Sequence, residues 1–272
     1  MTFSLWIGLG STLGLAWIAW RSPEAISLRC VDASLWALLG GALGGRLIHT
    51  AFAWPYYQSH LLEIPQVWLG GLSAPGFAAG MLIALGVYAA VSGLSFSRLV
   101  DALLPLGFTL TVSAWLACWS VGSAYGVPTA AWWGVPARDE WGQVSLRWPV
   151  QLVGALLSVL IFWLLEKDTL IALVGRFTHL PKPRSALGQR LWRVALRAYS
   201  PLRRLAARRE NAPPGVHAGW LLFFLFLEFL GLSFLRADPV LIWRGLRLDS
   251  WAWGGFAALS VLWLLYLSFL GD

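Results

Sequence analysis

Seven mostly apolar stretches dominate the chain, at 3–20, 33–53, 74–92, 99–125, 149–165, 218–235 and 251–270. A bilayer's hydrocarbon core asks for about 20 such residues per helix, because each backbone N–H and C=O inside it must bond within its own segment. The pattern therefore predicts an all-α polytopic membrane protein with seven transmembrane helices, a single transmembrane domain over 1–272. Composition agrees: 58% of the residues are hydrophobic, 12% are charged and the mean hydropathy is +0.67. A soluble domain carries about 25% charged residues. The first stretch has no charge between Met1 and Arg21 and no basic n-region ahead of it. It reads as a retained span rather than a cleaved signal peptide.

Two connections break the apolar pattern. AWPYYQSHLLEIPQVW (53–68) is aromatic, with a proline near each end, and PTAAWWGVPARDEWGQVSLRWP (128–149) is rich in Trp, Pro and Gly. Tryptophan, of which the chain has 19, favours the membrane boundary, where its ring is apolar and its N–H stays wet. Both segments are expected to be interfacial arms.

Basic residues set orientation. Residues 176–209 hold ten of the twenty Lys and Arg and no acid. That loop is expected on the cytoplasmic side, which places the N-terminus outside, the C-terminus inside and residues 166–217 in the cytoplasm. Within it, Leu187, Leu191, Val194, Ala198, Leu202 and Leu205 recur at helical spacing, while Arg190, Arg193, Arg197, Arg204 and Arg208 form another face. The alternatives are a basic amphipathic helix on anionic headgroups, a docking site for an acidic partner, and a solvated orientation-setting loop. Nucleic acid is not among the expected partners.

Several chemistries lack support. Cys30 and Cys118 form no CxxC, and the four histidines show no HExxH spacing, so neither a metal nor another cofactor is expected. Nucleotide-binding glycine loops and a GxSxG elbow are absent from the sequence.

Five fragments in order carry a resemblance: GGALGGRLIH (40–49), WLGGLSAPGFAAGM (68–81), VDALLPLGF (100–108), SAWLACWSVGSAYG (113–126) and LRWPVQL (146–152). With seven spans, they resemble the bacterial prolipoprotein diacylglyceryl transferases. Those enzymes move a diacylglyceryl group from phosphatidylglycerol to the lipobox cysteine of a preprolipoprotein. The resemblance is best over residues 4–165 and weak over 218–270, with a basic insertion at 168–216 that looks extra. It implies a multi-pass protein of the bacterial cytoplasmic membrane.

The framework matches are Gly44-Gly45-Arg46, Trp68 with Gly70-Gly71 and Ser73, Asp101 with Pro105, and Pro149 with Gln151-Leu152. The reactive positions depart. The family's His falls on Pro75. Its Gly-Arg-x-Gly-Asn-Phe-x-Asn-x-Glu signature puts the Arg on Trp115, the Asn residues on Cys118 and Val121, and the Glu on Ser123. The Tyr of the first span appears as Ile7, the Tyr-Glu after Gln-Leu as Val153-Gly154, and an Arg of the sixth span as Phe229. No Arg, Asn, Asp or Glu occurs between Asp101 and Arg138 in any register. A leaving phosphate in low dielectric needs a cation or several strong donors, and a thiolate needs a base or a cation. Trp115 offers one indole N–H.

A few polar groups remain in or beside the spans. Arg46 and His49 share a helix face at i, i+3 spacing, and Arg147 and Gln151 flank Pro149. These four are candidate ligands for an anionic headgroup such as that of phosphatidylglycerol, each with a structural alternative. Glu228 lies mid-span in LFFLFLEFLGL; it is expected to be functional, to pair with Arg46 or a partner subunit, or to be protonated and bland. Glu63, Asp139 and Glu140 are expected to be solvated, and Cys118 and Tyr125 to pack.

The leading expectation is a catalytically degenerate relative of the transferases, a lipid-binding or structural subunit with membrane-protein partners. The alternative is an active transferase whose phosphate site is rebuilt from Arg46, His49, Arg147 and Gln151. It requires those four side chains to converge. A transporter or pigment-binding subunit is a third, weaker reading, because no broken-helix repeat is visible.

Overall fold

The structure, a computed structural model, describes residues 2–67, 70–166 and 212–270. Along the chain run α1 (Thr2–Arg21), α2 (Glu24–Phe52), the one-turn α3 (Trp54–Tyr57), α4 (Ala74–Ser92), the short α5 (Phe96–Ala102) and α6 (Leu104–Val121). A hairpin of β1 (Val135–Arg138) and β2 (Val144–Arg147) precedes α7 (Val150–Leu165). Then come α8 (Val216–Ser233), a minimal hairpin of β3 (Ile242–Trp243) and β4 (Leu246–Arg247), and α9 (Leu248–Leu270).

Glycine sets the closest helix contacts. On α2 and α4, Gly40, Gly44, Gly76 and Gly80 interleave so tightly that a Cβ at Gly44 would lie 2.5 Å from the Gly76 carbonyl oxygen. A Cβ at Gly76 would lie 2.7 Å from the carbonyl oxygen of Gly44. Lipid supplies no hydrophobic drive between helices, so backbone approach and dispersion hold this pair. The contact of α1 with α6 follows the same rule, with Gly14 against Thr109 and Leu106. Around these contacts lies an apolar core that includes Ile18, Ala33, Leu85, Leu99, Leu106 and Ala218.

Six described helices are long and apolar enough to cross a membrane, and α7 is apolar but has 16 residues, a rise of about 24 Å. Large apolar side chains such as Leu5, Ile83, Val91 and Leu156 point outward from them. This confirms the all-α polytopic class. The boundaries differ in two places. The second stretch begins at Glu24 rather than 33, and 99–125 splits at Leu103 into α5 and α6. Pro105 sits in the first turn of α6, where its missing N–H costs nothing, and Gly122, left-handed at φ 70°, ends that helix.

Two groups of connections gather at opposite ends. At one, 122–127 is bonded to 235–237 through Val127 N–H to Leu235 C=O (2.9 Å) and Ala237 N–H to Tyr125 C=O (2.9 Å). At the other, Arg21 pairs with Glu166, and the Asp101 carboxylate accepts the backbone N–H groups of Gly215 (2.6 Å) and Ala218 (2.9 Å). An anion is favoured there, at the amide end of α8, which explains the framework Asp101. The arm expected over 53–68 is α3 followed by a 3-10 turn at Leu61–Glu63, and the arm over 128–149 is built on the β1–β2 hairpin. The basic face Arg190, Arg193, Arg197, Arg204 and Arg208 lies outside the described residues.

Candidate functional site

Three of the positions at which the family resemblance places reactive residues, 115, 154 and 229, come together between α6, α7 and α8. Trp115 of α6 is buried, and its indole lies flat on α7 where Gly154 leaves room: a Cβ on Gly154 would sit 2.6 Å from the Trp115 Cδ2. Trp115 stacks on Phe229 of α8 (centroids 5.1 Å apart, 19° between planes), and Phe229 stacks on Trp253 of α9 (4.5 Å, 16°). Three positions expected to carry Arg, Glu and Arg in the family thus hold Trp115, Gly154 and Phe229, and aromatic rings fill the space between α6, α7, α8 and α9.

Glu228 lies at the edge of this stack and is buried. Trp115 Nε1 donates to its Oε1 at 3.1 Å, and Ser158 Oγ of α7 lies 2.9 Å from Oε1 and 3.1 Å from Oε2. Among the described residues no cation pairs with it, and Arg46 is engaged elsewhere. Ser158 was not legible as its partner, because a serine in an apolar helix most often bonds back to its own backbone. It does that too, reaching the Gly154 carbonyl at 2.8 Å.

The remaining expected reactive positions are built into structure. Pro75 occupies the first turn of α4, after Ser73, whose hydroxyl accepts the Gly76 N–H at 3.3 Å. Cys118 is a free thiol on α6. The Ser123 carbonyl accepts from Gln151 Nε2 at 2.8 Å.

Arg46 spends its donors on main chain. Its Nε donates to the carbonyl of Ile64 (2.7 Å), Nη1 to Gly70 (2.7 Å) and Gly71 (3.3 Å), and Nη2 to Glu63. The guanidinium also lies over the Tyr57 ring at 5.1 Å. Gly70 and Gly71 have φ of 91° and 70°, a conformation that turns their carbonyls inward and that glycine adopts freely. A Cβ on Gly71 would strike His49 Nε2 at 2.6 Å and Arg46 Nη1 at 2.8 Å. The framework Gly-Gly and Arg46 are therefore one device that pins Glu63, Ile64, Gly70 and Gly71 to α2. His49 stands beside it, edge-on to Tyr57 (6.0 Å).

Arg147 and Gln151 form a second, separate cluster. Arg147 is buried, pairs with Asp139 (3.1 Å), reaches the Gly126 carbonyl (3.4 Å) and lies over Tyr125 (4.8 Å). Asp139, expected to be solvated, is buried by this pair. No hydrogen bond or ring contact joins the Arg46–His49 cluster to the Arg147–Gln151 cluster among the described residues. A third group went unrecognised in the sequence. Arg236 bonds Asp238 (2.8 and 2.6 Å) and Asp249 (3.1 Å), and Arg247 bonds both acids as well. Burial lowers the basicity of Arg236, but hydrogen bonding and charge from Asp238 and charge from Asp249 outweigh it, so its pKa is raised. These four charges close the junction of α8, β3–β4 and α9 and leave Arg236 fully committed.

Comparison with known proteins follows the same lines. Residues 1–174 match the family model for prolipoprotein diacylglyceryl transferase. A phosphatidylglycerol–prolipoprotein diacylglyceryl transferase of Phenylobacterium zucineum is 31% identical over 244 residues, 85% of this chain and 80% of that protein. One from Thermosynechococcus vestitus is 29% identical over 170 residues, 60% of this chain and 61% of that protein. One from Bacillus licheniformis is 39% identical over 106 residues, 38% and 39% of the two. The chain thus spans less than two thirds of the length of the last two.

Proposed function

The chain belongs to the prolipoprotein diacylglyceryl transferase family, and on that premise we propose that it is a catalytically silent member. In this reading it is a multi-pass protein of the bacterial cytoplasmic membrane, N-terminus outside and residues 166–217 in the cytoplasm. It binds anionic phospholipid and serves as a structural subunit beside other membrane proteins. One observation carries the proposal: Trp115 and Phe229, stacked on each other and on Trp253, occupy the core at two positions where the family resemblance expects cations. A phosphatidylglycerol phosphate leaving inside the bilayer needs charge stabilisation, and stacked rings supply none. Once chemistry no longer requires buried ions, apolar replacements relieve their desolvation cost.

The relatives' names favour a second reading, an active transferase with a rebuilt phosphate site at Arg46, His49, Arg147 and Gln151. Its difficulty is geometric. The two pairs share no partner, and Arg46 has all its nitrogens on carbonyls. The test is diacylglyceryl transfer by the purified full chain, from phosphatidylglycerol to a lipobox peptide, beside an active family member. The silent reading expects background turnover from folded protein that carries phospholipid through purification. Turnover abolished by Arg147→Ala would establish the rebuilt site instead.

A further inference from the structure

The Ser158 hydroxyl has one proton and two neighbours that want it. It lies 2.8 Å from the Gly154 carbonyl and 2.9 and 3.1 Å from the two Glu228 oxygens. If Glu228 were ionised, a full charge inside a span would rest on two neutral donors, Trp115 and Ser158, and the Ser158 proton would be withdrawn from the Gly154 carbonyl, a costly arrangement. If Glu228 carries a proton on Oε2, every group is used: Glu228 donates to Ser158, Ser158 to Gly154, and Trp115 to Oε1.

The charges around it agree. The sequences of α6, α7, α8 and α9 contain no Lys or Arg. Their titratable groups besides Glu228 are Cys118 on α6, His217 on α8, and Asp249 and Tyr266 on α9; α7 has none. On α5, which also packs on α8, Arg98 and Asp101 lie at the end where α8 begins. That end is ten or more residues from Glu228, about 15 Å. His217 lies there as well.

We propose that Glu228 is held as the neutral acid and, as a hydrogen-bond donor to Ser158, latches α8 to α6 and α7 across the silent core. The resemblance expects a carboxylate on α7, at Gly154, where Trp115 now lies. This chain supplies a carboxyl from α8 instead, one turn along, and sets it to hold helices together. The proposal concerns how the core is built and holds whether or not transfer chemistry survives, so the transfer assay and the test below fail independently.

The test is infrared spectroscopy of the full chain in lipid nanodiscs, taken as wild type minus Glu228→Gln. The expected difference contains the C=O stretch of an un-ionised carboxylic acid, and that band moves to higher frequency in Ser158→Ala as its hydrogen bond is lost. Glu228→Gln should unfold at the wild-type temperature, because its carboxamide donates to Ser158 and accepts from Trp115. Glu228→Leu should unfold several degrees lower; if it does not fold, Ser158→Ala is the weakened comparison. A carboxylate band with no acid band, or a Glu228→Gln protein as unstable as the weakened variant, overturns the proposal.

Discussion

The α2–α4 pair and the α6–α9 core relate to the family resemblance in opposite ways. Around α2 and α4 the framework positions are present: Gly44 in the helix contact, Arg46, and the left-handed Gly70-Gly71 turn ahead of α4. Each does a structural task that the backbone itself imposes. In the core, the positions associated with chemistry hold Trp115, Gly154 and Phe229, which do a packing task instead. Arg46 is held by main-chain carbonyls, whereas Trp115 and Phe229 stack on other side chains.

The sharpest way to break that contrast is at Gly80. A side chain there runs into the Gly40 carbonyl, and neither backbone can yield without parting the helices. Gly80→Leu should give no folded protein, read as loss of a monodisperse peak after detergent extraction. If it folds normally, the claim that backbone contact fixes this half is wrong.

Arg46→Met comes next. It removes four hydrogen bonds to carbonyls and leaves those oxygens without donors, at about 3 kcal/mol or more. The expected results are a lower unfolding temperature and new proteolysis within 61–71. Arg46→Lys should rescue little, because one ammonium cannot match the fork geometry. Loss of bound phospholipid with an unchanged unfolding temperature would instead mark Arg46 as a headgroup ligand.

Trp115→Phe tests the other half. The ring stack on Phe229 is kept and one donor to Glu228 is lost. The cost should be about 1–2 kcal/mol, read as a modest fall in unfolding temperature. Trp115→Arg sharpens the point from the functional side: it should not restore transfer, since Phe229 and Gly154 would still lack their expected ions. Turnover from that single change would place the core one step from activity.

Much of this was legible in the sequence, for stated physical reasons. Hydrocarbon thickness forces long apolar runs, so the spans could be read, and the stretch 74–92 is α4 with the bounds expected, capped by Ser73 and Gly93. What could not be read depends on backbone acceptors and distant partners. Arg46 has no acidic partner in sequence because its partners are the carbonyls of Glu63, Ile64, Gly70 and Gly71. Asp139 looked solvated because nothing local reveals that Arg147 folds over it. The β1 and β2 strands are four residues each, and Pro136 weakens any strand signal. The absence of Arg, Asn, Asp and Glu between Asp101 and Arg138 was visible in the sequence, whereas the fit of Trp115 onto Gly154 needed the structure.

The smallest effect should come from Trp132, which lies outside both halves. It is 90% exposed and touches Trp133 edge-on at 5.6 Å. Removing a side chain that the fold does not bury changes stability by about 0.5 kcal/mol or less, so Trp132→Ala in detergent should unfold like the wild type. In bilayers the same ring should be quenched by brominated lipid, because an indole favours the boundary between headgroup and acyl chain. A fall of several degrees in detergent would mean that Trp132 holds something the isolated chain lacks. The 128–149 arm would then be a protein contact rather than a lipid one.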